Sequence, residues 1–294
     1  MAQSAEKTQI LARKVDAVPL SPAHDAWQAV SPYRVNLSAQ QMTTPMGGGA
    51  VSALDVRALT DDHLFGVRLS WANPKGDTDV GIRKHRDSCA VMFPAVPGEL
   101  PPFFMGGPGK PVVVWQWKPD WENPSAQETA RKARYPEYAD YYNPSNDAAF
   151  ANVGDRPRES RANVIVAEGF GTVTRTEDPD LQVKSAFEKD AWSVVFLRPL
   201  PTRYPPLSVG GQGAMNFAVW DGEAGEVGAR KSLSYEWHSF QIEGRSQAKP
   251  KSWIPGIATP GTIAVGATAA AIGWAIRRRM QNARRDDKPP KGGT

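Results

Sequence analysis

The chain has 294 residues, 40% of them apolar, which is enough for one sizeable domain and an appendage. Much of its net charge of +4 sits in Arg277, Arg278, Arg279, Arg284 and Arg285, so no basic stripe with interleaved aromatics is offered to a nucleic acid. The single cysteine, Cys89, excludes an intrachain disulfide, a cysteine-based metal cluster and the paired thiols of c-type haem attachment.

With 26 Gly, 26 Pro and ten Trp spread along the chain, many short strands broken by turns are expected rather than long helices. Residues 1–14 are polar, carry no apolar core of a secretory signal, and read as a mobile terminus. A folded body is expected over 15–245. Ala50–Leu59 and His63–Trp71 alternate like a hairpin across Thr60–Asp62, and 88–94 read as the next buried strand.

Residues 105–121 run Met-Gly-Gly-Pro-Gly-Lys-Pro-Val-Val-Val-Trp-Gln-Trp-Lys-Pro-Asp-Trp. A Gly-Pro turn leads into a β-branched run, and Trp115 and Trp117 alternate with Gln116 and Lys118, as a strand with one apolar face requires. Residues 119–162 form a polar excursion containing Tyr135, Tyr138, Tyr141 and Tyr142, with a short helix expected at Glu128–Arg134. Strands resume at Val164–Val166, Gly171–Thr174, Leu181–Phe187, Trp192–Leu197, Met215–Trp220 and Leu233–Ile242. Glu188-Lys189-Asp190 reads as a charged hairpin tip, and Glu177, Asp178 and Asp180 read as a solvated turn around Pro179.

After a linker at 246–253, the 24 residues from Trp253 to Ile276 carry no charge, enough for a spanning helix over 254–276. Gly266, Ala270 and Gly273 suit close helix contact in lipid. The arginine cluster that follows makes 277–294 a cytoplasmic tail, which places the body in the periplasm or its equivalent. No Gly-x-Ser-x-Gly elbow, phosphate loop or paired-Cys zinc pattern occurs, and His24, His63, His85 and His238 show no metal-like spacing.

Three further segments accompany the 105–121 stretch. They are Asp-Ser-Cys-Ala-Val-Met-Phe-Pro at 87–94, the strand Trp192–Leu197 leading to Arg198, and Asn-Phe-Ala-Val-Trp-Asp-Gly at 216–222 followed by Lys231 and Trp237. With the opening Ala17–Trp27, these motifs resemble, in order and spacing over 15–245, the haem-binding γ subunits of ethylbenzene dehydrogenase. Similar subunits occur in complexes of the dimethylsulfide dehydrogenase, selenate reductase, chlorate reductase and nitrite oxidoreductase types, within the DMSO reductase family. The resemblance implies an all-β fold: an antiparallel β-sandwich with short helices and long loops, here with one C-terminal transmembrane helix. It implies one haem b, with Met105 and Lys184 as axial iron ligands, Lys189 as the alternative lysine, and Trp115 and Trp117 in the cofactor-binding segment.

The same resemblance implies a non-catalytic electron-transfer subunit. It would relay electrons between an iron–sulfur subunit, itself joined to a molybdenum catalytic subunit, and a cytochrome c-like or membrane carrier. Two strong axial ligands leave no open coordination position, so such a haem carries electrons and does not activate substrate. An ammonium cannot ligate iron, so the ligating lysine must have its pKa lowered by burial. Two other readings stand beside this one: a haem-free tethering subunit, expected if Lys184 is exposed, and a carbohydrate-binding-like module using Trp115, Trp117 and Trp220 as stacking platforms.

Overall fold

The computed structural model describes residues 9–78, 85–122, 162–176 and 178–244. The helix expected at 128–134, the tyrosines at 135–142, the linker, the transmembrane segment 254–276 and the tail 277–294 lie outside the described residues. Among the described residues no helix is long and apolar enough to cross a membrane.

The elements in chain order are β1 (Ile10–Lys14), α1 (Asp25–Gln28), β2 (Tyr33–Asn36), β3 (Ser38–Ala39), β4 (Ala53–Thr60), β5 (Leu64–Ala72), β6 (Ser88–Pro94) and β7 (Val112–Trp117). They continue with α2 (Pro119–Glu122), β8 (Asn163–Ala167), β9 (Thr174–Thr176), β10 (Gln182–Glu188), β11 (Ala191–Pro199), β12 (Thr202–Arg203), β13 (Pro206–Leu207), β14 (Gln212–Trp220), β15 (Ser232–Leu233) and β16 (His238–Ile242). The all-β expectation therefore holds for the described residues, with two one-turn helices.

The main hydrogen-bonded path runs β10-β11-β5-β4-β1-β16-β14-β6-β7-β8-β9. It folds into two layers because β14 changes partner midway: Gln212–Met215 pair with β16, and Asn216–Trp220 pair with β6. The core between the layers is aromatic. Trp117 meets Trp71 at 6.4 Å and Trp192 at 4.9 Å, and Trp115 meets Phe93 at 4.7 Å and Phe196 at 6.4 Å. Alternation along each strand sends these rings inward and leaves a second set of side chains on the outer faces.

The expected β4–β5 hairpin forms, with Thr60 paired to Phe65. The β10–β11 hairpin turns through Lys189 and Asp190, both at positive φ (52° and 57°), as a two-residue turn requires. Several readings differ from expectation; the strand expected at Gly171–Thr174, for example, forms at Thr174–Thr176. Residues 10–14 are not a mobile terminus: Ile10 and Ala12 are buried and β1 pairs in parallel with β4 and β16, closing the first layer. The stretch 233–242 is broken between β15 and β16, because Ser234–Trp237 turn back over the second layer. Asp178 is not solvated but forms a half-buried ion pair with Arg198.

Candidate functional site

β6, β7 and β14 are apolar on both faces. The inner set is Cys89, Val91, Phe93, Val113, Trp115, Trp117, Phe217 and Val219. The outer set, Ala90, Met92, Val112, Val114 and Trp220 with Ile165 and Ala167 of β8, forms a separate cluster, and Met105, Ala218 and Trp237 pack against it. A sheet with apolar side chains on its outer face needs a second cover. Here a cavity of about 500 Å³ lies over that face, walled by segments around Gln40–Thr43, Phe103–Met105, Phe170–Val173 and Glu226–Lys231.

Met105 closes one side. Its φ is 75°, a left-handed conformation that a side-chain-bearing residue rarely takes. The conformation is held from both sides: Gly106 N–H donates to the Pro102 carbonyl at 2.9 Å, and the Met105 carbonyl accepts from Gly169 N–H at 2.8 Å. Backbone strain of this kind persists only where the surrounding structure over-determines it.

Lys231 closes another side. Its Nζ lies 5.0 Å from the Trp220 ring centroid, and among the described residues no carboxylate pairs with it. Burial pushes its pKa down to about 8. Its backbone is clamped by the 40–49 loop: Lys231 N–H donates to Gly47 O at 3.1 Å, and Gln40 N–H donates to Lys231 O at 3.1 Å. Gln40 itself is buried, and its Nε2 reaches the carbonyls of Pro45 and Ala229, tying the two loops together. Farther along the segment that starts at Lys231, Trp237 donates its indole N–H to Pro101 O at 2.7 Å, and the Tyr235 ring packs against Phe103. A single stretch, 231–237, thus carries Lys231 and braces the Met105 loop.

The expected ligand pair is not brought together as expected. Met105 lines the cavity, but Lys184 does not. Lys184 stands on β10 in the other layer, its side chain 48% exposed, with its Nζ 2.8 Å from Glu122. Glu122 also accepts from Ser185 N–H and from the indole N–H of Trp117 at 3.0 Å. Burial pushes the Glu122 carboxyl up, but the Lys184, Ser185 and Trp117 hydrogen bonds outweigh it and hold the group below the usual glutamate value. Lys189, the alternative, is the exposed tip of the β10–β11 hairpin. Trp115 and Trp117 are fully buried on the inner face of β7, so they support the cavity floor from behind without lining it; Val112, Val114 and Gln116 face outward instead.

Lys231 was not among the candidates read from the sequence because it lies outside any long strand, one residue before the two-residue β15. The signal available was its place ten residues after Asp221 in the segment that begins Asn216–Gly222.

The profile of the family described as ethylbenzene dehydrogenase matches residues 24–232. A Haloferax mediterranei protein assigned as a respiratory nitrate reductase haem subunit is 26% identical over 257 residues, covering 84% of this chain and 78% of that one. The chlorate reductase subunit gamma of Ideonella dechloratans is 27% identical over 202 residues, covering 67% of this chain and 68% of that one. Among solved structures, a family 9 carbohydrate-binding module of Caldicellulosiruptor kristjanssonii in complex with glucose aligns at a TM-score of 0.41 and 10% identity, covering 82% of this chain and 98% of that one. That likeness is too distant to bear on what this chain binds.

Proposed function

Because the chain belongs to the ethylbenzene dehydrogenase family, we propose that it is the haem-binding electron-transfer subunit of a molybdoenzyme complex, with one haem b held in the cavity between Met105 and Lys231. The observation that carries this reading is the pair itself: a thioether and a lysine with a lowered pKa line one apolar cavity. The residues fit the group. A volume of about 500 Å³ is within the roughly 300–1,000 Å³ of pockets that bury ligands of cofactor size. A half-buried lysine without a carboxylate partner is costly in its charged form unless a Lewis acid takes its lone pair.

A bound haem supplies one-electron exchange at its iron. The protein supplies the rest. Lys231, whose proton burial makes easier to remove, would offer its amine, and Met105 would offer a soft, uncharged sulfur that favours the reduced metal. Ala90, Val114, Ile165 and Ala218 form a dry floor that excludes water from the cavity. Met105 and Lys231 would hold the iron, and the group would supply electron exchange between an iron–sulfur partner and a cytochrome c-like or membrane carrier, in either direction, while a molybdenum subunit would perform the substrate chemistry. The names of the nitrate and chlorate reductase relatives support membership of such a complex. The membrane anchor at 254–276, the cytoplasmic tail and the periplasmic body belong to the same proposal, supported by the uncharged stretch and the arginines after it. Protease accessibility in intact spheroplasts tests the topology.

Exposure of Lys184 alone would have favoured a haem-free tether, and Lys231 removes that argument by supplying a lysine in the cavity. The carbohydrate-binding alternative required Trp115, Trp117 and Trp220 as exposed platforms; the first two are at 0% exposure and Trp220 at 9%, under Lys231. Absorption spectra of the purified chain, oxidised and dithionite-reduced, test the proposal. Low-spin b-type bands are expected, lost or converted to high spin in Met105→Ala and Lys231→Ala and unchanged in Lys184→Ala. A colourless protein, or bands indifferent to Lys231, would overturn it.

A further inference from the structure

Resting on the haem reading, we infer a second binding subsite in the same cavity: a corner formed by Lys118 and Arg175 that holds the two carboxylates along one edge of the cofactor and so fixes which way round it lies. A haem b is an apolar disc with two propionates on one edge, so a cavity that orients it must be polarised in the same sense. This one is. The strand register places Ala90, Val114 and Ala218 at the centre of the floor. Toward the start of β6 and the end of β7 the lining becomes polar, with Ser88, Gln116 and then Lys118. Arg175 of β9 pairs with Ile165, which pairs with Val114, so it stands at the adjoining β9 edge of the floor, level with Val114. Leu233 borders the floor at the opposite edge, beside Ala218, and Phe103 and Phe104 complete the lining.

The charge agrees with this polarity. Arg86, Lys118, Arg175 and Lys231 line the cavity, against one carboxylate, Glu226. The oxygens of Glu226 are taken up by the backbone N–H groups of Ala50 and Asp221. Arg86 is ion-paired with Asp120, and Lys231 is assigned to the iron. Lys118, whose Nζ also lies 4.6 Å from the Trp121 ring centroid, and Arg175 bring three and five donor hydrogens, enough to take a carboxylate alongside their present partners. Arg–carboxylate and Lys–carboxylate hydrogen bonds are charge-assisted, and in a partly dry cavity each changes affinity by about tenfold.

The test uses the full-length chain reconstituted with ferric haem b or with its dimethyl ester, which lacks the negative charges, followed by Soret titration. Wild type should bind haem about tenfold or more tightly than the ester. The double variant Lys118→Gln/Arg175→Gln should bind the two alike and should show a lower reduction potential, because cations beside the macrocycle favour the ferrous state. The charge-conserving variant Lys118→Arg/Arg175→Lys should keep the preference. Equal binding of haem and ester by wild type, or a preference that survives in the double variant, overturns the corner assignment while the electron-transfer reading stands. Failure of wild type to bind either cofactor overturns both.

Discussion

Gly48 and Lys231 are packed backbone to backbone: a methyl group on Gly48 would lie 2.4 Å from both the Lys231 nitrogen and its carbonyl oxygen. Gly48 also has a φ of 102°, a conformation that side chains avoid. The lysine proposed to ligate the iron is therefore positioned by a glycine 183 positions earlier in the chain.

Gly48→Ala should displace Lys231. The expected result is destabilisation of the haem-free protein by about 2–4 kcal/mol, as strain and overlap combine, together with loss of the low-spin spectrum. Gly47→Ala is the control. Its added methyl would meet only the Arg230 side chain, at 3.5 Å, so strain at its φ of 113° acts alone and the loss should be smaller. Thermal melts of the two variants, with and without haem, give the comparison.

Haem retention should depend on pH through Lys231. The proton competes with iron for the amine, so below about pH 8 affinity should fall by up to about tenfold per pH unit and above it should level off. The haem-free protein gives the matching linkage. Burial lowers the folded-state pKa from 10.5 to about 8, so the unfolded chain binds more protons between those values. Stability should therefore rise from pH 8 to 10.5, and Lys231→Met should abolish that rise. Soret titrations and denaturant melts across pH 6–10.5 check both.

Met105 separates backbone from ligand. Met105→Gly removes the sulfur but suits the φ of 75°, whereas Met105→Ala removes it and keeps the strain. The haem-free Gly variant should be about 1 kcal/mol more stable than the Ala variant, while both lose the wild-type reduced spectrum. Equal stability of the two variants would mean that the loop relaxes around residue 105.

Glu122 should be structural. Lys184→Ala removes a half-exposed ion pair and should lower stability by no more than about 1 kcal/mol, with haem binding unchanged. Glu122→Ala strands the buried Trp117 and Ser185 donors and should lower it by about 2–3 kcal/mol. Since the folded-state Glu122 pKa is depressed, its contribution is fully present above the ordinary glutamate value and is lost as pH falls through the lowered one. An acid titration of stability in wild type and Glu122→Gln checks the sign.

Period-two alternation and turn residues made β4 through β7 and β10, β11 and β14 legible, because each strand's pattern is a local consequence of having an inside and an outside. The resemblance of the 105–121 stretch to the family, rather than the turn itself, made Met105 a candidate from the sequence. The sequence by itself determined an all-β body, the family, and one of the two cavity residues proposed to hold iron. Which face of β7 lines the cavity, and which lysine does, were decided by the tertiary structure. Val112–Trp117 is apolar on both sides, so alternation cannot tell the core face from the cavity face. The environment of Lys231 is assembled from Gly47, Gly48 and Gln40 on one loop and Trp220 on a distant strand. Burial is a property of what surrounds a side chain in space; the residues beside Lys231 in the sequence carry no record of it.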